Sequence, residues 1–437
     1  MSIPEATSSG TPAREQGRQL TWLVRIGSAS SPLEPPQLYP LEDTVRLGRA
    51  AEVARSGHIE VRDPWMSSEH AELERSDEGW RLLDMGSSNG TRTWGRRRSS
   101  VLLANGDVFE TGSTFWLFRS EAVVGELPTQ LDPLDPLATL SPEVARLTHR
   151  LAKVAKSRVP VVIEGPTGAG KEVFARFVHR CSGRPGRLVP LDLAALAPED
   201  VARELFGAEG PDGHRPGRLR SADEGTVLVD QVADMPQEVQ VALLRVLEGG
   251  ELTPVGSDIP VRLDLRLVTT AAEHVDELVE QGRLRAELWS RLKGFVVTVP
   301  PLRHRLEDLG LLVGRFLVRL GAEDTTFSPE AYRALLTYDW PHNIRELERT
   351  VESATALSDR NRVELVDLPP EAQRHEAPRA APELDTEHGR ERELIRLLTA
   401  HRGNVSAVAR SMGYSRMQVH RWMKQMNVDP NQYRERS

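Results

Sequence analysis

The pattern of apolar and polar positions changes along the chain, and its first part consists of short β-rich runs. Between residues 20 and 120 each run is bounded by Gly, Asn, Asp or Ser. The runs are QLTWLVRIG, DTVRLGR, GHIEVRD, HAELER, GWRLLDM, DVFETG and FWLFR. Short strands at this spacing are typical of an all-β sandwich, so we predict a sandwich over residues 20–120.

From residue 144 to residue 370, apolar strands alternate with helical patterns. The runs PVVIEG, TVLVD and LRLVTT are apolar throughout, as in strands buried on both faces. The segments KEVFARFVHR, QEVQVALLRVLEGG and AYRALLTYDW have the periodicity of helices. This alternation predicts an α/β domain with a parallel sheet.

The last part of the chain predicts a small all-α domain over residues 388–430. It contains three amphipathic stretches, GRERELIRLLTAH, VSAVARSMG and SRMQVHRWMKQM. Two segments rich in Pro and polar residues, 121–143 and 369–387, are expected to be linkers. The expected fold class is therefore multidomain: all-β, then α/β, then all-α.

Composition and charge narrow the classes of function. The 437 residues include one cysteine, Cys181, so an internal disulfide is excluded and a reducing compartment is favoured. Neither an apolar signal core nor a run of about 18 apolar residues is present, which predicts a cytoplasmic protein without a membrane partner. The net charge is −8, but residues 386–437 carry ten Lys and Arg against five Asp and Glu. An acidic body with a basic end suits a regulator whose last domain meets DNA.

One stretch has the chemistry of a phosphate-binding loop. GPTGAGKE follows the strand PVVIE and opens a predicted helix, which is the context that a P-loop requires. Glycines let the backbone amides face a phosphate, the helix N-terminus adds positive potential, and Lys171 would reach the β- and γ-phosphates. The alternative is a glycine-rich turn without a ligand. The candidate nucleotide-binding residues are Gly165, Pro166, Thr167, Gly168, Ala169, Gly170, Lys171 and Glu172.

With this loop, residues 144–365 resemble the AAA+ domain of bacterial enhancer-binding proteins, the NtrC-like activators of sigma-54 RNA polymerase. The matching motifs are GKE, ELFG (204–207), EGTVLVDQV (224–232), QVALLRVLEGGELTPVG (240–256), GRLRAELWSRL (282–292), VPPLRHRLEDL (299–309) and WPHNIRELER (340–349). The resemblance implies an α/β core over 144–303, a helical lid over 304–368, and ATP or ADP with Mg²⁺ as cofactors. It also implies RNA polymerase as a partner and a homo-oligomer, either a dimer or a nucleotide-dependent ring.

Three arginines acquire roles through the same resemblance. Arg285 and Arg291 would be arginine fingers that reach a neighbouring subunit's γ-phosphate, and Arg345 would be the second sensor. The alternative for each is an exposed helix arginine without such a role.

The chain departs from the family where water is activated. Asp230 can hold Mg²⁺ through a water, but the next residue should be Glu and is Gln231. Glutamine can bind the attacking water and cannot accept its proton. The expectation is at most a weak ATPase, with the alternative that glutamine suffices, as in some GTPases.

Two further departures concern coupling. The stretch 208–223 is shorter than its family counterpart and lacks the GAFTGA loop that grips sigma-54. Ala271 and Ala272 stand where the family has a Thr-Asn pair that senses the γ-phosphate. Together with Gln231, they favour a core that binds nucleotide but neither hydrolyses it well nor remodels sigma-54.

The front domain resembles the forkhead-associated (FHA) domain, a phosphothreonine reader. The motifs are RLGR (46–49), SSEH (67–70) and DMGSSNGT (84–91). By position, the phosphopeptide would be held by Arg49, Ser67, Ser88 and Asn89, with His70 bracing the loop from inside. The implied partner is a phosphothreonine protein or a kinase; the alternative is an FHA fold that has lost its ligand. The basic run GRRRSS (95–100) attracts acidic peptides or is a solvated turn.

The last domain resembles the Fis-type helix-turn-helix. In 403–426 the second helix begins near Ser415, Val419 and Trp422 would pack inward, and DNA is the implied partner. The candidate DNA-binding residues are Ser415, Arg416, Gln418, His420, Arg421 and Lys424. A helical hairpin that only dimerises is the alternative.

The combined prediction is a phosphothreonine-reading, DNA-binding transcriptional regulator with a hydrolysis-impaired nucleotide core. Two other functions stay open. One is an active sigma-54-dependent ATPase with a divergent loop, and the other is a phosphopeptide adaptor with a vestigial DNA-binding domain.

Overall fold

The structure is a computed structural model that covers the three predicted regions of the chain. The residues that it describes are 18–50, 57–129, 131–132, 135–192, 197–210, 213–272, 275–374, 394–395, 397–399, 403–412, 416–426 and 428–433.

The N-terminal β-domain is a sandwich of two sheets. Its strands are β1 Arg18–Ser28, β2 Gln37–Pro40, β3 Val45–Arg49, β4 His58–Val61, β5 Ala71–Ser76, β6 Gly79–Asp84, β7 Thr91–Thr93, β8 Arg96–Arg98, β9 Ser100–Leu102, β10 Val108–Thr111 and β11 Thr114–Val123. One sheet has the order β2-β1-β11-β10-β7-β8, and the other has the order β4-β3-β5-β6-β9. Strands β3 and β4 pair in parallel, and the apolar interior between the sheets includes Leu23, Leu47 and Trp116.

The α/β core is built on a parallel sheet of order β13-β16-β19-β12-β20. The strands of this sheet are β12 Val161–Glu164, β13 Leu188–Asp192, β16 Thr226–Asp230, β19 Arg266–Ala271 and β20 Phe295–Thr298. Two separate pairs of strands are β14 Gly207–Gly210 with β15 Gly213–Pro216, and β17 Glu251–Leu252 with β18 Val261–Arg262. Its helices are α1 Pro142–Ala155, α2 Lys171–Ser182, α3 Pro198–Phe206, α4 Arg218–Ser221, α5 Gln237–Gly249, α6 Val275–Glu280 and α7 Ala286–Leu292.

Both faces of this sheet are covered, as the apolar runs predict. On β12, Val161 and Ile163 face one apolar cluster while Val162 faces the other. Because the strands are parallel, the ends of β12, β16 and β19 meet at one edge. This edge is where ligands bind in open α/β sheets.

The lid follows the core and is mainly helical. Its elements are α8 Leu309–Leu320, β21 Thr326–Phe327, α9 Pro329–Thr337, α10 Asn343–Leu357 and β22 Arg362–Val363. Ser328 caps α9 by accepting the amide of Ala331, and Pro329 occupies the first turn. Two 3₁₀ turns, Leu302–His304 and Leu306–Asp308, connect the core to α8.

The β-domain and the lid share one continuous apolar cluster. Strand β1 turns Leu23 toward the sandwich interior and Trp22, Val24 and Ile26 toward the cluster shared with the lid. Burial on both faces explains why β1 carries apolar residues at successive positions, with Arg25 as the exception between Trp22 and Ile26.

The C-terminal helical unit has an apolar cluster of its own. Helices α11 Val405–Met412 and α12 Arg416–Gln425 pack with Leu394, Leu397 and Leu398. Across the described ranges, no helix has the length and hydropathy needed to cross a membrane.

Candidate functional site

The loop between β12 and α2 has the backbone shape of a phosphate cradle. Gly165, Gly168 and Gly170 all have positive φ. At Gly168 φ is +76°, and a Cβ atom there would lie 2.0 Å from the carbonyl oxygen of His342, so glycine is required. Helix α2 begins at Lys171 after a glycine cap, so no cap side chain covers its first amides and they are available to a phosphate.

Lys171 lies under this loop, and the charged groups of two other predicted site residues, Asp230 and Arg345, act on it. Its Nζ donates to the carbonyl oxygens of Gly165 at 2.8 Å and of Pro166 at 3.1 Å. Burial lowers the pKa of Lys171; the carboxylate of Asp230 opposes this shift and the guanidinium of Arg345 adds to it. The structure therefore gathers these three charged groups around one loop, as a nucleotide site requires.

The remaining loop side chains point elsewhere. Glu172 is exposed and pairs with Arg176 at 2.5 Å, while Thr167 is exposed at the mouth of a cleft. The cleft measures about 380 Å³ and is lined in part by Arg345 and Arg349 of α10. Thr167 is the phosphate-loop residue in its lining, and neither Lys171 nor Asp230 lines the cleft.

Lid residues hold the loop by its carbonyl oxygens. Asn343 donates to Thr167 O at 2.9 Å, the amide of Ile344 donates to Gly168 O at 3.0 Å, and Arg305 donates to Ala169 O at 2.6 Å. The sequence motifs did not single out Asn343 or Arg305 for this task.

The end of β16 carries Asp230 and the predicted departure from the family at Gln231. Asp230 ends the strand, and Gln231 follows in the left-handed region at φ 58° and ψ 59°. The hydroxyl of Thr270 donates to Asp230 Oδ1 and accepts the amide of Gln231 at 3.1 Å. Thr270 was missed by sequence reasoning because its role depends on the pairing of β16 with β19.

The two predicted sensor positions, one at the end of β19 and one just after it, are alanines. Ala271 is fully buried and meets the phosphate loop only through its carbonyl oxygen, which accepts the amide of Gly165 at 3.2 Å. Ala272 follows it and is half-buried. Within the described residues, no cluster of three or more His, Cys, Asp or Glu suits a metal ion.

The two predicted finger arginines are exposed at the core surface. Arg285 is 40% exposed and lies 3.6 Å from Glu287, and Arg291 is 56% exposed and lies 3.1 Å from Glu248. Their segment is anchored by Gln240, which sequence reasoning also missed.

Gln240 is fully buried on α5 and satisfies three backbone groups. It donates to Met235 O and Arg283 O, and it accepts the amide of Arg285, each at 2.9 Å. It thus ties the start of α7 to the turn after β16.

A short hairpin stands where the resembled family carries its long sigma-54 loop. Strands β14 and β15 pair from Gly207 with Pro216 to Gly210 with Gly213. The amide of Glu209 donates to Val255 O at 2.9 Å, which fastens the hairpin to the segment after β17.

At one end of the β-domain, the predicted phosphopeptide residues come together. Arg49 donates its amide to Ser67 O at 2.9 Å, and the amide of Ser88 donates to Ser67 Oγ at 3.1 Å. Asn89 donates to the carbonyl oxygen of Trp65 at 2.7 Å. The side chains of Arg49, Ser88 and Asn89 are exposed, so a peptide can reach them.

His70 lies behind these loops, as the sequence predicts. It is fully buried, its Nδ1 accepts the amide of Ser67 at 3.1 Å, and its Nε2 lies 3.4 Å from Gly90 O. Burial lowers the pKa of His70, so the ring is held neutral with Nδ1 as an acceptor.

Asp84 is a second brace, which sequence reasoning missed. Its carboxylate accepts the amides and hydroxyls of both Ser87 and Thr91. Burial would raise its pKa, but these hydrogen bonds outweigh that effect and lower the pKa of Asp84. The charged carboxylate therefore fixes the SSNGT turn.

On α12, Val419 and Trp422 are buried in the helical unit. The exposed predicted DNA-facing residues are His420, Arg421 and Lys424. Ser415 and the side chains of Arg416 and Gln418 lie outside the described part of the chain.

Three family models match the chain in the order of its domains. They are an FHA domain at residues 45–112, a sigma-54 interaction domain at 137–298 and an AAA+ ATPase lid domain at 303–384. No match to a helix-turn-helix model is among them.

Curated relatives are transcriptional regulators. The regulatory protein XylR of Pseudomonas putida is 35% identical over 376 residues, covering 75% of this chain and 66% of that protein. The nitric oxide reductase transcription regulator NorR1 of Cupriavidus necator is 37% identical over 322 residues, covering 65% and 62%. The chain spans about half to two thirds of the length of the curated relatives that it matches.

Solved structures include NtrX from Brucella abortus in complexes with ATP and with ADP. The ATP complex is 32% identical, has a TM-score of 0.52, and covers 67% of this chain and 69% of that chain. The ADP complex is 31% identical with a TM-score of 0.51. This chain therefore belongs to the family of transcriptional regulators with a sigma-54 interaction domain, and it joins that AAA+ core and lid to an FHA domain.

Proposed function

We propose that this chain is a phosphothreonine-responsive, DNA-binding transcriptional regulator that binds ATP or ADP as an assembly switch and hydrolyses ATP poorly. The observation that carries the proposal is the end of β16. Asp230 is followed by Gln231, not by a glutamate, and the hydroxyl of Thr270 donates a hydrogen bond to Asp230. The loop beside it has three glycines at positive φ and Lys171 at the start of α2, which supports nucleotide binding.

Nucleotide binding rests on Lys171 and the first amides of α2, with Arg345 on the lid beside them. When bound, Mg²⁺ would neutralise phosphate charge, with Asp230 as its water-mediated ligand. Gln231 can hydrogen-bond an attacking water but offers no base. General-base help is worth about 10²–10⁴-fold in rate, so turnover should fall by that order relative to an active AAA+ regulator.

The hairpin argues against standard sigma-54 remodelling. Its strands are four residues each and are fastened to Val255, so no long exposed loop extends from the described part of 207–216. A chain without the gripping loop would act through DNA binding and assembly instead.

Signal input and output fall on the two flanking domains. Arg49, Ser67, Ser88 and Asn89 suit a phosphothreonine, on a partner protein, on a kinase or on the chain itself. The helical unit would bind DNA as a dimer at paired half-sites through α12. Exposed Arg285 and Arg291 suit contact with a neighbouring subunit's nucleotide.

The deciding experiment compares ATP binding and turnover in the wild type and in Gln231→Glu. The proposal expects fluorescent ADP and ATP analogues to bind both proteins equally, with turnover detectable only in the variant. Wild-type turnover at the rate of typical AAA+ activators would overturn it. If binding occurs and Gln231→Glu stays inactive, the defect lies with Ala271 and Ala272 or with the missing sigma-54 loop.

The rival function, an active sigma-54 activator, is separated by transcription in vitro. Open-complex formation by sigma-54 holoenzyme that depends on this protein and ATP would favour the rival. Footprinting at two salt concentrations then tests DNA binding, since specific binding through basic side chains weakens as salt rises.

A further inference from the structure

The β-domain is docked on the lid through close backbone contact. The ring of Tyr332 on α9 lies 5.0 Å from the ring of Phe115 on β11. On α8, a Cβ atom at Gly310 would lie 1.8 Å from the carbonyl oxygen of Ile26 on β1. Helix and strand therefore touch at a point that admits only glycine.

Two nearly buried ion pairs cross the same face. Arg333 of α9 donates twice to Glu110 of β10, at 2.6 and 2.8 Å. Arg119 of β11 donates to Glu307 at 2.7 Å. Each glutamate is 3% exposed and each arginine 14%, so separating the domains would leave charges buried without partners.

One of these pairs lies a single turn from the nucleotide loop. Glu307, which holds Arg119, belongs to the 3₁₀ turn that follows Arg305. Arg305 donates to the carbonyl oxygen of Ala169 in the phosphate loop at 2.6 Å. The chain thus connects the β-domain to the phosphate loop within three residues.

A second route reaches the phosphopeptide loops. Asp63 begins the loop that carries Ser67, and its buried carboxylate accepts the amide of Ser113 at 2.7 Å. The carbonyl oxygen of Ser113 accepts the amide of Ala29, and Ala29 O accepts the amide of Phe327 of the lid at 2.8 Å. One side-chain hydrogen bond at Asp63 and two backbone hydrogen bonds therefore join the peptide-binding end of the sandwich to β21.

We propose that the phosphopeptide loops and the nucleotide loop are thermodynamically coupled through this docked face, with Arg119–Glu307 as the contact nearest the nucleotide. The coupling rests on the nucleotide binding proposed above. Linkage is reciprocal: nucleotide that tightens the lid alters phosphopeptide affinity, and phosphopeptide alters nucleotide affinity by the same factor, commonly about 5–150-fold.

The test uses ADP as the probe, because the phosphopeptide is unidentified. Hydrogen exchange at residues 62–70 and 85–90 is measured in the full chain with and without saturating ADP, and ADP affinity is measured separately with a fluorescent analogue. We expect ADP to slow exchange in both loops of the wild type by about fivefold or more. Gly310→Ala should abolish that response and keep ADP binding.

Gly249→Ala is the matched control, since nothing lies within 4 Å of a Cβ at that helical glycine. It should respond as the wild type does. A second variant, Arg119→Gln with Glu307→Gln, removes both charges while keeping a hydrogen-bonding pair, and it should weaken the response if Gly310→Ala does not fold.

The outcomes separate coupling from nucleotide binding. ADP binding without any change in exchange at 62–70 and 85–90 would overturn the coupling alone. A response that persists in every folded interface variant would overturn the docked face as its route. Failure of the fluorescent analogue to bind would overturn the nucleotide proposal, and the coupling with it.

Discussion

At the scale of single residues, Tyr332 is fully buried together with its polar hydroxyl group. Its hydroxyl has no hydrogen-bond partner among the described residues, and burial raises its pKa. An unsatisfied buried hydroxyl is costly, so Tyr332→Phe should leave stability unchanged or raise it by about 1 kcal/mol. Urea unfolding of the full chain measures the change.

Tyr338→Phe provides the comparison for that substitution. The hydroxyl of Tyr338 donates to Glu346 at 2.9 Å, so its loss should destabilise the lid by about 1 kcal/mol. Equal losses in both variants would show that the hydroxyl of Tyr332 has a partner in solution.

His70 predicts a pH dependence in the β-domain. Its folded-state pKa lies below the ordinary value of 6.5, so the unfolded chain takes up the proton first as the pH falls. The stability contributed by the neutral ring is complete above pH 6.5 and is lost as the pH falls below that value. His70→Asn, which still offers an oxygen to Ser67, should reduce the pH dependence of thermal stability between pH 7.5 and 5.5, and the remaining slope should come in part from His304, whose pKa burial lowers to about 4. An unchanged slope would contradict this assignment.

The sequence predicted roles for residues that lie in short local motifs. The structure places Lys171 at the loop after β12, and it places Arg49 and His70 on either side of Ser67. The binding roles of Lys171 and Arg49 stay predictions. Thr270 and Tyr332 could not be predicted in this way. Their contacts depend on elements that are distant in sequence and are brought together only by the tertiary fold.

At the scale of elements, helix α5 is held to the finger segment by one side chain. Gln240→Met would leave three backbone groups without their partner, because Gln240 bonds to Met235, Arg283 and Arg285. We expect a loss of about 3 kcal/mol or more in the free energy of unfolding of the core. Denaturant titration followed by circular dichroism measures it.

Gln237→Met is the control on the same helix. Gln237 lies at the surface and makes one hydrogen bond, to Gly282 O at 2.8 Å, so its replacement should cost less than about 1 kcal/mol. A similar loss for the two variants would mean that the buried network around Gln240 contributes little.

The sequence of strand β1 indicates burial on both faces of the strand. Between Trp22 and Ile26, apolar side chains point to both faces of the strand, and Arg25 is the exception. Such a run indicates a cover on each face, yet a sandwich supplies only one. The sequence of β1 therefore indicates that a second element packs on the sandwich. It does not identify that element as the lid.

At the scale of the whole molecule, the shared cluster predicts joint unfolding of the β-domain and the lid. In a urea series, β1 and α9 should lose hydrogen-exchange protection at the same concentration, because each buries apolar side chains in one cluster. The C-terminal helices form a separate cluster and serve as the internal control. Distinct midpoints for β1 and α9 would contradict joint unfolding.

The glycine contact between α8 and β1 also bears on how such regulators exchange parts. The two surfaces that it joins lie on either side of the core in sequence, at Ile26 and Gly310. A recombination crossover inside the core would join the β-domain of one protein to the lid of another. Glu110 or Glu307 would then face a side chain other than its arginine partner. We therefore expect chimaeras whose joints fall outside residues 18–374 to keep this docked face, and chimaeras joined within the core to lose it.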